Sequence, residues 1–227
     1  MNLLLKTLVG SILTLFLCAI TAQETKAFEL TVLGGVNYAA PTQRTAGVDI
    51  HQTGNATPTF GLFGSTSLFS SAFTIETGVV SLTQQSERDN FVPFVTQKMQ
   101  FIQVPLLLRY HLDQSISLGV GGYAAFAQGN VQTTQTSVTT ETPYETLFLN
   151  KTDAGLLLNI HVRFAMAPPF YAIIDARYQH GLMNMAKTQN DLLNTRSVQA
   201  MAGLSYEFET SKEAPGRQQI RIIDNED

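Results

Sequence analysis

The feature that most constrains this chain is a rhythm of side chains. Eight segments alternate apolar and polar residues over about 11 to 14 positions each: 28–38, 57–68, 72–83, 98–111, 115–128, 153–165, 170–181 and 196–208. Side chains alternate across a strand, so each segment makes a strand with one apolar and one polar face. In "YAIIDARYQHG" (171–181), Ala172, Ile174, Ala176 and Tyr178 share one face, while Ile173, Asp175, Arg177 and Gln179 share the other. Ordinary strands average about 5 to 6 residues. A tilted strand that crosses a bilayer needs about 9 to 11.

The connections have a rhythm of their own. "SSA" (70–72), "LDQS" (112–115) and "MAPP" (166–169) are short, whereas 39–56, 84–97, 129–152 and 182–195 are long and polar. Short turns at one end and long loops at the other is the layout of outer-membrane barrels, whose long loops face the outside. The predicted fold is therefore all-β: an eight-stranded antiparallel up-and-down transmembrane β-barrel with short periplasmic turns and long extracellular loops. The even strand count leaves both ends of the barrel chain on the periplasmic side. The third loop, "GNVQTTQTSVTTETPYETLFLNKT", is rich in Thr and Gln and reads as a mobile, solvated segment.

A soluble ligand-binding barrel also alternates, so alternation alone leaves that alternative open. Lysine placement separates the two. A water-exposed strand face is normally rich in Lys, Glu and Asp. Here Lys98, Lys151 and Lys187 fall in loops or at strand ends, Lys212 falls in the tail, and no lysine occupies a strand centre. Only 14% of residues are charged, against roughly 25% in soluble domains. The apolar faces are continuous, as in Ile102, Val104, Leu106, Leu108 and Tyr110, or in Leu156, Leu158, Ile160, Val162 and Phe164. Lipid demands such a surface.

Export is written at the start of the chain. Lys6 precedes the apolar run "LVGSILTLFLCAI" (8–20), which has signal-peptide length and is short for a membrane-spanning helix. Small residues place cleavage after Ala22 or Ala27, so the organisation is a signal peptide (1–22 or 1–27), a barrel (28–208) and a polar periplasmic tail (209–227). Cys18, the one cysteine, lies in the leader behind the bulky Leu17, a poor lipoprotein-processing residue. The exported chain then has neither disulfides nor Cys-ligated metal, and His51, His111, His161 and His180 lack ligand spacing. No cofactor is expected. With a net charge of −4 and no dense basic stretch, no nucleic-acid partner is expected either.

The inward faces carry Glu29, Glu76, Asp175 and Glu207 together with Arg109, Arg163 and Arg177. Eight strands leave room only for side chains inside, and charges held there must be paired. These residues, mostly in the periplasmic half, are expected to form an ion-pair network that plugs the barrel, with Glu76–Arg109 as a cross-strand pair. Carboxylates so engaged are filling rather than acid–base catalysts. Tyr110, Phe126, Phe164, Tyr178, Tyr206 and Phe208 are expected on the lipid-facing interface. Pro105 lacks a ladder donor and predicts a local bulge. Glycines 34, 35, 119, 121 and 122 are expected to ease the curvature of a narrow barrel.

Four stretches carry a family resemblance. "FIQVPLLLRYHL" (101–112) and "SISLGVGGYAAFAQG" (115–129) resemble the Ile-Pro-Leu-Leu-Leu-Arg/Lys-Tyr and Gly-rich strands of the PorT-type outer-membrane β-barrel family. "TDAGLLLNIHVRF" (152–164) and "YAIIDARYQHGLMNM" (171–185) resemble its Asp-x-Gly and Arg-Tyr-x-x-Gly-Leu-x-Asn strands. The likeness covers about 28–208; the polar tail beyond Phe208 departs from it. The resemblance implies an outer-membrane location, and its namesake is tied to protein secretion across that membrane. The expected role is a non-enzymatic barrel, structural or accessory to an envelope or secretion machine. Its expected partners are outer-membrane lipids, the barrel-assembly machinery and envelope or secretion proteins.

The alternative is a lipid-modifying enzyme. "YQHGLMN" (178–184) resembles the His-x-Ser-Asn stretch of outer-membrane lipid A deacylases, which would give His180 a chemical role. Leu182 stands where the serine would be, and a Ser–His mechanism needs that hydroxyl.

Overall fold

The computed structural model describes residues 28–45, 48–50, 52–68, 72–88, 95–187 and 191–208. The leader with Cys18, residues 70 and 71 of the first short turn, His51 and the tail with Lys212 lie outside the described residues. In chain order the strands are β1 (Phe28–Ala39), β2 (Thr42–Thr45), β3 (Val48–Ile50), β4 (Gln52–Leu68), β5 (Phe73–Arg88) and β6 (Val95–His111). They continue with β7 (Ile116–Gln135), β8 (Val138–Thr142), β9 (Thr152–Ala165), β10 (Phe170–Gly181), β11 (Leu192–Asn194) and β12 (Arg196–Phe208).

Eight of these strands close a barrel. Neighbours run β6, β5, β4, β1, β12, β10, β9, β7, and β7 pairs back to β6. The chain ends meet in an antiparallel seam from Phe28↔Phe208 to Ala39↔Ser197. A closed ladder leaves no barrel strand with an unpaired edge, as a membrane requires.

The alternation of sequence becomes inside and outside. On β10, Ile173, Asp175, Arg177 and Gln179 are buried, while Ile174 and Tyr178 are exposed. The outward band includes Val32, Leu62, Leu106, Val120, Leu158, Ile174 and Leu204, each more than half exposed.

Four strands run further than their periodicity predicts. β4 begins at Gln52, β5 ends at Arg88, β6 begins at Val95 and β7 ends at Gln135. All four extensions lie at the long-loop end. Residues such as "NVQTTQ" (130–135) are polar on both faces and show no apolar period, yet main-chain pairing carries them on. The sheet thus rises beyond the apolar band on the extracellular side.

One expectation needs correction. No register shift occurs at Pro105; the shifts are at Asn55/Thr59 and Lys98/Gln100. The β5–β6 ladder instead lapses between Thr77↔Leu106 and Val80↔Gln103, resuming in the same register. One missing donor is thus absorbed by a local gap, and the Thr77 hydroxyl donates to the Pro105 carbonyl at 2.8 Å. Apolar side chains share the interior with the charges. Leu33, Phe63, Val80, Leu82, Phe101, Leu107, Leu157 and Ile173 form a buried apolar cluster inside the barrel. Residues of an inward face can pack on one another across so narrow a lumen.

Among the glycines, Gly121 has a clear role in close approach. A Cβ there would sit 2.0 Å from the Leu106 carbonyl oxygen.

Candidate functional site

Four buried charges close a ring across the lumen. Register sets Thr74 opposite Arg109 and Leu107 opposite Glu76, so Glu76 and Arg109 are diagonal neighbours on β5 and β6. Arg109 Nη2 lies 2.5 Å from Glu76 Oε2 and 3.2 Å from Asp175 Oδ2. Arg177 completes the cycle, with Nε 2.6 Å from Asp175 Oδ1 and Nη2 3.0 Å from Glu76 Oε1. Two acids thus meet two bases, and none of the four is more than 3% exposed. Each charge is compensated on two sides, the condition under which ions persist away from water.

Uncharged neighbours brace the ring. Asn159 donates from Nδ2 to Asp175 Oδ2 at 3.0 Å and accepts from Arg109 Nε at 3.0 Å. His161 Nδ1 lies 3.0 Å from the same Asp175 oxygen. The Arg177 guanidinium carbon sits 4.1 Å from the Phe63 ring centre, a cation–π contact. Gly119 leaves space for this packing, since a Cβ there would come within 3.1 Å of Asn159 and 3.2 Å of Arg109.

The remaining inward charges form a separate group at the periplasmic mouth. Arg163 bonds Glu207, lies 3.8 Å from Glu29 and stacks 3.3 Å from the Tyr171 ring centre. The Ser205 hydroxyl donates to Glu29. Beside this mouth, His111 Nε2 and the Thr74 hydroxyl lie 2.6 Å apart. The single network expected from the sequence is therefore two: a dry ring of Glu76, Arg109, Asp175 and Arg177, and a wetter cluster of Glu29, Arg163 and Glu207. The roles of Asn159, His161 and Tyr171 were not anticipated.

Among the described residues, the extracellular loops are tied to one another. β2 pairs with β3 and with β11, tying the first and last long loops together. The third loop, expected to be mobile, instead carries the end of β7, a hairpin with β8, and a segment that packs inward. Its Tyr144 is fully buried in one cluster with Val131, Met185 and Leu193. Main-chain bonds knit it to the last loop: Asn150 N to Met185 O at 2.7 Å and Lys187 N to Phe148 O at 2.8 Å. The Thr- and Gln-rich composition hid this order because its anchors are single side chains.

Two such anchors lie in the quoted motifs and were missed as site residues. Asp153, from Asp-x-Gly, accepts hydrogen bonds from the Tyr123 hydroxyl at 2.9 Å and the Thr195 hydroxyl at 2.5 Å. Asn184, the motif asparagine after β10, accepts from the Ala186 and Leu193 amides and donates to the Asp191 carbonyl. It thereby shapes the loop that leads into β11. Outside the bilayer span, burial pushes the Tyr144 hydroxyl up to about 12. In the turn after β6, Ser115 and Ile116 amides donate to Asp113 and hold its carboxyl below the usual range.

On the outer surface, Tyr110, Phe164, Tyr178 and Phe208 are exposed, while Phe126 and Tyr206 are half-buried. Most of the aromatics gather at the short-turn end, with ring centres 5.2 Å apart in Phe73–Tyr110 and 4.6 Å apart in Tyr206–Phe208. His180 points outward near the extracellular end, between Leu156 and Arg196 in register, and Leu182 beyond it is exposed. Among the described residues, no cluster of His, Asp and Glu is placed to hold a metal.

Closure, strand length and the split between apolar outside and braced inside define a small outer-membrane barrel. Residues 21–187, more than half of the chain, match the model of the family described as outer membrane protein beta-barrel domain, and the chain belongs to that family. It is therefore an outer-membrane protein rather than a soluble periplasmic barrel. No curated protein matches it by sequence. Among solved structures it is similar to the outer membrane protein OprG of Pseudomonas aeruginosa, with TM-score 0.53 and 11% identity over 82% of this chain and 98% of that one. The attachment invasion locus protein Ail of Yersinia pestis gives TM-score 0.39 and 14% identity over 82% and 100%. The outer membrane protease OmpT of Escherichia coli gives TM-score 0.49 and 7% identity over 83% and 100%. At such identities likeness concerns fold alone, and the latter two scores carry no argument.

Proposed function

We propose that the protein is a non-enzymatic outer-membrane barrel with a closed, filled lumen, structural or accessory to an envelope or secretion machine. The observation that carries this reading is the ring of Glu76, Arg109, Asp175 and Arg177. Every carboxylate in it is engaged by two arginine contacts, which leaves none poised for acid–base work. The buried apolar cluster, with the packed segment of the third loop, supports the same reading. His180 faces outward with Leu182, not a hydroxyl, two residues on, so the serine-dependent pattern lends the lipid-modifying reading no support.

Within the family, the PorT-type assignment is supported by where the motif residues sit. Arg109 and Arg177 belong to the ring, and Tyr123, Asp153 and Asn184 tie the extracellular end. The outward band and its aromatic residues would contact lipid, and assembly would engage the barrel-assembly machinery and further envelope proteins. Planar-bilayer recording and cross-linking in intact outer membranes test this together. The expected result is no unit conductance, unchanged lipid A masses with and without the gene, and a specific envelope protein cross-linked to the barrel. Steady conductance, or a lipid A species that depends on the gene, would overturn it.

A further inference from the structure

The barrel has no free edge, but its extracellular extension does. Above the bilayer, β4, β5, β6 and β7 continue as one sheet, and β8 is added outside β7 as its last strand. The β7–β8 connection is two residues, Thr136 and Ser137, both with positive φ (48° and 68°). That conformation matches the tight turn whose twist suits a hairpin.

The turn fixes which groups face outward. In a two-residue hairpin the flanking pair, Gln135↔Val138, exchanges both main-chain bonds, and the pattern alternates from there. Thr133↔Thr140 and Val131↔Thr142 are bonded pairs, whereas Thr134↔Thr139 and Gln132↔Glu141 are the close, non-bonded pairs. Their side chains meet accordingly, with Thr134 and Thr139 hydroxyls 2.9 Å apart and Gln132 Nε2 3.1 Å from Glu141 Oε1. The N–H and C=O of Thr139 and Glu141 therefore point away from β7. Among the described residues no main-chain partner meets them. The strand is exposed nearly throughout, with Val138 at 67%, and carries no Lys, Pro or bulge to blunt it.

We propose that β8 is a docking edge for an extended segment of another protein outside the cell, which adds to the sheet as a further strand. The occupant is a β-branched peptide with a basic residue to meet Glu141. A second copy in the same membrane is a poor fit. Antiparallel pairing of two β8 strands needs one barrel inverted. Parallel pairing about a twofold along the strands puts equivalent residues on opposite faces of the joint sheet, out of phase with the pleat.

Proline distinguishes this edge from its surroundings, because the Thr139 and Glu141 N–H groups are not used by the β7 ladder. The test is binding of a labelled peptide of alternating Val and Thr with a Lys at each end to the full protein in lipid nanodiscs, against empty nanodiscs. We expect binding that Thr139→Pro weakens about tenfold or more, that Glu141→Pro weakens likewise, and that the same peptide N-methylated on alternate residues fails to show. Heat-shifted gel mobility is to remain in both variants, and Glu141→Gln is to weaken binding of the Lys-bearing peptide while leaving a peptide without Lys unaffected. Absence of binding to the unaltered protein, equal binding by the proline variants, or equal binding of the N-methylated peptide would each overturn the proposal. So would self-association in detergent that Thr139→Pro abolishes, which would make a second copy the occupant.

Discussion

Arg177 Nη2 reaches Glu76 Oε1 across the lumen at 3.0 Å, joining side chains 101 positions apart in the chain. β10 and β5 are not sheet neighbours. The contact therefore staples the wall from the inside, through side chains alone.

Removing one member of the ring leaves its acids under-compensated in a dry site. Arg109→Ala is expected to destabilise the folded barrel by roughly 3–5 kcal/mol, read by urea unfolding in liposomes. Glu76→Leu combined with Arg109→Leu is expected to cost less than the sum of the two single changes, because the pair is coupled.

Asn184 works locally. Its replacement by Ala removes an acceptor shared by two amides and one donor, worth about 0.5–1.5 kcal/mol at this exposed position. Faster hydrogen exchange at the Ala186 and Leu193 amides is expected, with global unfolding of the barrel little changed.

Tyr144 supplies a pH signature at the cap. Its hydroxyl is pushed up to about 12 by burial, whereas an unfolded tyrosine ionises near about 10. The unfolded state therefore loses its proton first as pH rises, and the protein loses stability between those values. Below about pH 10 both states are protonated and the effect is absent. Phenolate absorbance and unfolding midpoints, compared with Tyr144→Phe, are expected to differ only above about pH 10.

At Gly121 the main chains of β6 and β7 come too close for any side chain. Gly121→Ala is expected to cost about 1–3 kcal/mol through overpacking. Earlier loss of the folded band on heated gels would report it.

The strand count and faces were legible because two solvents, lipid outside and a narrow interior within, impose opposite demands on alternate residues such as Ile174 and Asp175. The Glu76–Arg109 contact was legible for the same reason, both residues lying inward near one end of adjacent strands. Asp175 with His161, or Arg177 with Glu76, needed register and barrel diameter, which alternation does not carry. The cap was least visible. Tyr144, Asp153 and Asn184 act through single contacts in polar segments, where no period marks them.

The ring also bears on assembly. Glu76 and Arg109 sit on adjoining strands of the first half, and Asp175 and Arg177 sit on one strand of the second. Each half brings one positive and one negative member to the lumen, already beside each other. Taken as the β5–β6 pair and as β10, these four residues add no net charge to either piece. Closure then exchanges two local neutralisations for one shared circuit, so a barrel that fails to close forfeits the cross-links.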